Sequence, residues 1–160
     1  MGAWGAGIFE NDCACDFWAG LSDKGNLDLM IETLDEGNGD ADAYLEIDSG
    51  YPIIVCCLLV LGFADRQTIV NYPEPKLPNH FKTRVLDFID KYRQDWIDNY
   101  QLRTYGGERV SIGQYCCRAL EAVLSPSTSE AYELWEDAGG EFFAEWLQEM
   151  NDMKQKLSSI

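Results

Sequence analysis

The 160-residue sequence predicts an all-α fold: a compact, single-domain bundle of about six or seven helices entered through a glycine-rich N-terminal turn. Three observations carry this. Apolar residues recur at three- and four-residue spacing through most of the chain, the period that lines one face of a helix. The breaks between these runs are short and rich in glycine, proline and asparagine. The one β-branched run, Ile53-Ile54-Val55, has no strand candidate beside it to pair with. With 46% hydrophobic residues and 20 aromatics among them, the chain can bury a sizeable core.

The opening residues are Trp4-Gly5-Ala6-Gly7-Ile8-Phe9-Glu10-Asn11-Asp12. Gly5 and Gly7 let the backbone turn sharply, so that Trp4 and Phe9 both point into a core. Asn11 and Asp12 stand where an N-cap is preferred, just ahead of Ala14, Phe17, Trp18 and Leu21, and predict a helix over 12–22. A second helix over 25–36 carries Leu27, Met30, Ile31 and Leu34 on one face and stops at Gly37-Asn38-Gly39. An acidic turn follows from Asp40 to Gly50. Residues 51–64 read as a buried central helix with Pro52 in its first turn. Residues 66–79, with three prolines in Pro73-Glu74-Pro75-Lys76-Leu77-Pro78, form a connector within the domain.

Beyond the connector, Phe81, Val85, Phe88, Ile89, Tyr92 and Trp96 mark a long amphipathic helix ending near Asn99. Gly106-Gly107 separates it from a helix over 109–124. Ser125-Pro126-Ser127 opens the next helix, with Tyr132, Leu134 and Trp135, and Gly139-Gly140 closes it. The last helix places Phe142, Phe143, Trp146, Leu147, Met150 and Met153 on one side. Glu141, Glu145 and Glu149 make an i, i+4, i+8 stripe on the other.

The pattern Trp4-Gly5-x-Gly7-x-Phe9-x-Asn11-Asp12-x-Ala14-x-Asp16-Phe17 resembles the N-terminus of a bacterial family known as domain of unknown function 4259. Asp42-x-Tyr44-Leu45-Glu46, and Ser129-Glu130 followed by Glu133-Leu134-Trp135, Trp146 and Leu157, are similar to it in the same order. The resemblance does not extend through residues 66–114. It implies a shared fold with Trp4, Gly5, Gly7, Phe9, Asn11 and Asp12 as structural residues, and no catalytic residue.

Several chemistries find no motif. The cysteines come as Cys13-x-Cys15, Cys56-Cys57 and Cys116-Cys117, without the two-residue spacing of zinc or iron–sulfur ligands, and read as reduced thiols of a cytoplasmic protein. No secretory leader is expected, and no apolar stretch reaches the roughly 20 residues of a membrane helix. His80 is the single histidine, so a nucleophilic triad or a histidine metal centre has one candidate at most. Counted from Asp35, Glu46 is the twelfth residue of a calcium loop, but Asp40 stands where that loop requires glycine. No cofactor and no metal are expected.

Charge is the functional signal. The chain carries 28 acidic and 12 basic residues, net −16. The acid lies at both ends: residues 1–75 are net −12, residues 76–118 net +3 and residues 119–160 net −7. Such a field repels nucleic acid and anionic membranes and accelerates encounter with basic proteins. Six acids lie between Asp35 and Asp48, interleaved with Tyr44, Leu45 and Ile47. The expectation is an acidic binding protein for a basic partner, in concrete form an immunity or antitoxin-type protein covering a toxin such as a nuclease. Its contacts would be Asp35, Glu36, Asp40, Asp42, Tyr44, Glu46 and Asp48, or alternatively the Glu141, Glu145 and Glu149 stripe. A regulatory or structural interaction domain without a toxin, and a small carboxylate-dependent enzyme, are the alternatives.

Overall fold

The most apolar stretch of the chain becomes its central helix. The computed structural model describes residues 7–74 and 76–160. Its helix α3 (Ile47–Ala64) is buried from Gly50 through Phe63, and Val55 and Leu58 are fully enclosed. Before it run α1 (Asp12–Lys24) and α2 (Leu27–Gly37). After it come α4 (Arg66–Val70), α5 (Asn79–Asn99), strands β1 (Leu102–Tyr105) and β2 (Glu108–Ser111), α6 (Ile112–Val123), α7 (Glu130–Ala138) and α8 (Gly140–Leu157). Every other described helix packs on α3. A helix that is apolar all round has no face to give to water, so its neighbours must cover every side. By length and composition α3 could cross a membrane, yet 83% of that span is buried inside the protein.

The helices start where their caps put them. Asn11 is buried; its Oδ1 accepts from the Ala14 amide at 2.7 Å and its Nδ2 donates to the Ile8 carbonyl at 3.3 Å. The side chain thus caps α1 and ties the preceding turn to it. Asp12 is the first helical residue, where a carboxylate suits the positive end of the helix dipole. Phe9 is buried, stacked on Phe81 with centroids 4.6 Å apart and edge-on to Trp18 at 6.0 Å. Gly7 donates its amide to Glu10 Oε2 at 2.7 Å. Trp4 and Gly5 lie outside the described residues. At α6, Ser111 and Gln114 form a reciprocal capping box.

The all-α expectation holds, with four corrections. First, α3 starts at Ile47, so Pro52 lies in its second turn and leaves the Asp48 carbonyl without its intrahelical donor. Second, α4 occupies the start of the expected 66–79 connector, leaving 71–74 and 76–78 as its described irregular part, to which Lys82 Nζ of α5 donates at the Tyr72 carbonyl, 2.7 Å away. Third, residues 102–111 form an antiparallel hairpin, with Leu102 opposite Ser111 and Tyr105 opposite Glu108. Gly106 and Gly107 both take positive φ, as a two-residue hairpin turn demands, so they join two strands rather than separate two helices. Fourth, α7 is capped by Ser129 and starts at Glu130, several residues after Ser125-Pro126-Ser127.

Candidate partner-binding surface

Two acidic segments far apart in sequence meet at the start of α3. The Leu45 amide donates to the Thr128 carbonyl at 2.7 Å, and the Glu130 amide donates to the Leu45 carbonyl at 2.9 Å. This short parallel bridge lays the acidic loop against the first turn of α7. Buried Ser129 holds that turn in place by accepting from the Tyr132 amide at 3.3 Å. Glu130 then reaches across to accept from the Ile47 amide at 2.9 Å, satisfying an orphan donor at the N-terminus of α3.

Tyr44 sits in the middle of this junction. It is 50% exposed, and its hydroxyl donates to Glu133 Oε2 at 2.7 Å. That hydrogen bond, with the charges of Glu133, Glu130 and Glu46 around it, pushes the phenol up to about 12, so Tyr44 stays a neutral donor. On the loop, Asp40 Oδ1 accepts from the Asp42 amide at 3.0 Å, a local turn that leaves both residues exposed. Glu46, immediately before α3, is exposed as well.

More acid lies where α1 packs beside the start of α3. Asp12, Cys13 and Asp16 of α1 line an open depression of about 530 Å³ together with Phe17, Asp48 and Pro52. The Cys13 thiol donates to Asp48 Oδ1 at 3.3 Å. Burial, then that hydrogen bond, then the nearby carboxylates push the thiol up to about 11. It therefore stays protonated and offers no thiolate nucleophile. No lysine or arginine occurs between Lys24 and Arg66, or between Arg118 and Lys154. The acidic loop and α7 bring no compensating base with them, and α1 carries one, Lys24, in its last turn.

The structure sorts the expected residues. Asp40, Asp42, Tyr44, Glu46 and Asp48 are exposed on this loop and the α3 start, and Glu36 is exposed at the end of α2. Asp35 is exposed as well, but its carboxylate is already engaged: it accepts from the Tyr115 hydroxyl and pairs with Arg103 of β1 at 3.5 Å. Glu141 and Glu145 are exposed on α8. Glu149 corrects the expected stripe, because it is buried at 3% exposure and accepts from the Tyr72 hydroxyl at 2.8 Å. Each four-residue step rotates about 40° around a helix, and two such steps from Glu141 carry Glu149 to the side that buries Trp146 and Met153. Glu130 and Glu133, which complete the face, are separated from the loop by more than eighty residues, so no sequence pattern pairs them with it.

Elsewhere the thiols of α3 and α6 meet in the core, with the Cys57 thiol donating to the Cys116 carbonyl at 3.8 Å. His80 is exposed at the start of α5 with its ring against Phe81, centroids 4.4 Å apart. Cys56 and Cys116 are fully buried, and burial raises both thiols well above the ordinary value. Among the described residues, no group of three or more histidines, cysteines and carboxylates is arranged to hold a metal ion.

A family model matches residues 2–149, nearly the whole chain and including the 66–114 stretch in which the motifs gave no resemblance. The chain belongs to the family described as Domain of unknown function (DUF4259). No curated protein and no solved structure matches it.

Proposed function

We propose that this protein is an acidic binding protein that engages a basic protein partner through the face around Tyr44. In its concrete form it is an immunity or antitoxin-type protein of the cytoplasm, covering the cationic site of a toxin such as a nuclease. The observation that supports the reading is the junction itself: Tyr44 exposed among Glu46, Glu130 and Glu133, on segments free of lysine and arginine. A half-exposed aromatic ringed by carboxylates combines the two things a cationic partner needs. The ring supplies a rigid contact at small entropy cost, and the charges steer encounter and pair with lysine or arginine. A nuclease site is positive because it holds phosphates, so a carboxylate-rich surface can stand in for its substrate.

The test is affinity capture from the native cell extract, run in parallel with wild type and with a variant carrying Asp40→Lys, Asp42→Lys and Glu46→Lys. The expected result is a basic protein retained at stoichiometric yield by wild type and lost by the variant. Retention of the same proteins by both, or of partners without a basic surface, contradicts the reading.

A further inference from the structure

Asn38 caps the end of α2, and the next residue is Gly39. An asparagine followed by glycine is chemically labile in a flexible chain. Glycine has no Cβ to shield its backbone nitrogen, so that nitrogen can reach the amide carbon of the preceding side chain. Asn38-Gly39 is the single Asn-Gly pair in the sequence.

In the folded protein the Asn38 side chain is turned the other way. Its Nδ2 donates to the Leu34 carbonyl at 2.9 Å, one turn back along α2, and to the Tyr115 carbonyl of α6 at 3.1 Å. Two carbonyl acceptors fix which end of the amide is the nitrogen. The backbone is pinned as well. A Cβ at Gly37 would come within 2.8 Å of the Ala119 Cα, so the end of α2 lies pressed against the α6 backbone. Attack by the Gly39 nitrogen would have to break both hydrogen bonds and rotate a residue that this contact holds.

We infer that Asn38-Gly39 is a self-modification site, silent while α2 and α6 are joined and reactive whenever they part. In the open chain the Gly39 nitrogen attacks Cγ of Asn38. The new N–Cγ bond closes a succinimide, the Cγ–Nδ2 bond breaks, and ammonia leaves with the proton that Gly39 gave up. One water then opens the ring. Opening at Cγ leaves aspartate; opening at the backbone carbonyl leaves isoaspartate, whose main chain is longer by one methylene. Neither product can rebuild the junction. Asn38 Oδ1 is already buried without a donor, and an aspartate would set a second acceptor against the Leu34 and Tyr115 carbonyls. Isoaspartate needs room for extra backbone beside a contact with no space for a Cβ. Either product also adds a negative charge two residues before Asp40. The site thus records time spent open, and its product makes the next opening easier. It does not rest on the partner-binding reading, and either can fail alone.

The test is peptide mass spectrometry of the full chain held in neutral buffer, folded and in denaturing urea. Asn38 should convert ahead of every other asparagine in urea, and more slowly by about tenfold or more in the folded protein. Gly39→Ala isolates the attacking atom. Its Cβ would stand 3.6 Å from the Glu36 carbonyl, an ordinary contact, so this variant should keep the wild-type thermal midpoint. In urea it should convert more slowly than wild type by about tenfold or more. Asn38→Asp, which makes one product directly, should have a lower thermal midpoint than wild type. Equal rates in the folded and unfolded chains, a Gly39→Ala rate equal to wild type in urea, or an Asn38→Asp midpoint equal to wild type would each overturn the inference.

Discussion

Single side chains at both ends of the molecule make the account testable. Asn11 is a buried cap with two hydrogen bonds, so Asn11→Ala should lower stability by about 1–2 kcal/mol in denaturant unfolding; a loss under about 0.3 kcal/mol would mean the cap is dispensable. That cap was legible, because asparagine and aspartate directly before an apolar-periodic run have a local physical meaning. Tyr44 was legible only as an aromatic among acids, since the partner of its hydroxyl, Glu133, arrives through tertiary folding. Tyr44→Ala should leave stability within about 0.5 kcal/mol while weakening partner binding by about 2 kcal/mol or more. Glu149 escaped the sequence because its spacing from Glu145 looked like a solvated stripe. A carboxyl raised to about 7 in the folded state keeps its proton where the unfolded chain, at about 4.3, has lost it. Folding therefore takes up a proton between those values, and stability falls as pH rises across that window. Relative to Glu149→Gln, wild type should lose up to about 3 kcal/mol between pH 4.5 and 7. Parallel pH profiles for the two proteins would show that Glu149 ionises without penalty.

At the scale of elements, legibility followed local periodicity. The central position of α3 could be read because no residue in its middle tolerates water. The start of α7 and the hairpin could not be read in the same way. Ser125 and Ser129 are both acceptable caps, and the choice between them is made by Leu45, whose backbone bonds to Thr128 and Glu130. In the hairpin, alternation over four residues a side is too short to compete with a neighbouring helix signal, and its outer face is exposed at Leu102 and Thr104. Close approach of helices was equally silent in the sequence. A Cβ at Gly62 would run into Ile89 of α5 and come within 2.8 Å of Ile69 of α4, both fully buried. Overpacking costs about 1–3 kcal/mol, more than the 0.5–1 kcal/mol or so that alanine gains over glycine in a helix. Gly62→Ala should therefore destabilise, read as a lower thermal midpoint; a raised midpoint would mean that α3 and α5 have slack between them.

Over the whole molecule, the charge arrangement outweighs any single site. The sequence shows a net charge of −16 and the acid at both ends; the fold brings the acidic loop and α7 to one junction at the α3 N-terminus, while Asp35 is drawn off to Arg103. The whole-chain balance was legible, and the joining of the two acidic segments was not, because it depends on a backbone bridge between Leu45 and Ser129. Exposed carboxylates contribute little to stability, so reversing Asp40, Asp42 and Glu46 to lysine should leave the fold intact while altering recognition. Steering by opposite charges raises association rates by roughly 10–1000-fold at low ionic strength, and salt removes that gain. The deciding measurement is the association rate constant for the captured partner, for wild type and this triple variant, across a salt series. The account predicts a steep fall with salt for wild type and a slow, nearly salt-independent rate for the variant. Rates that coincide for the two proteins at every ionic strength would contradict it.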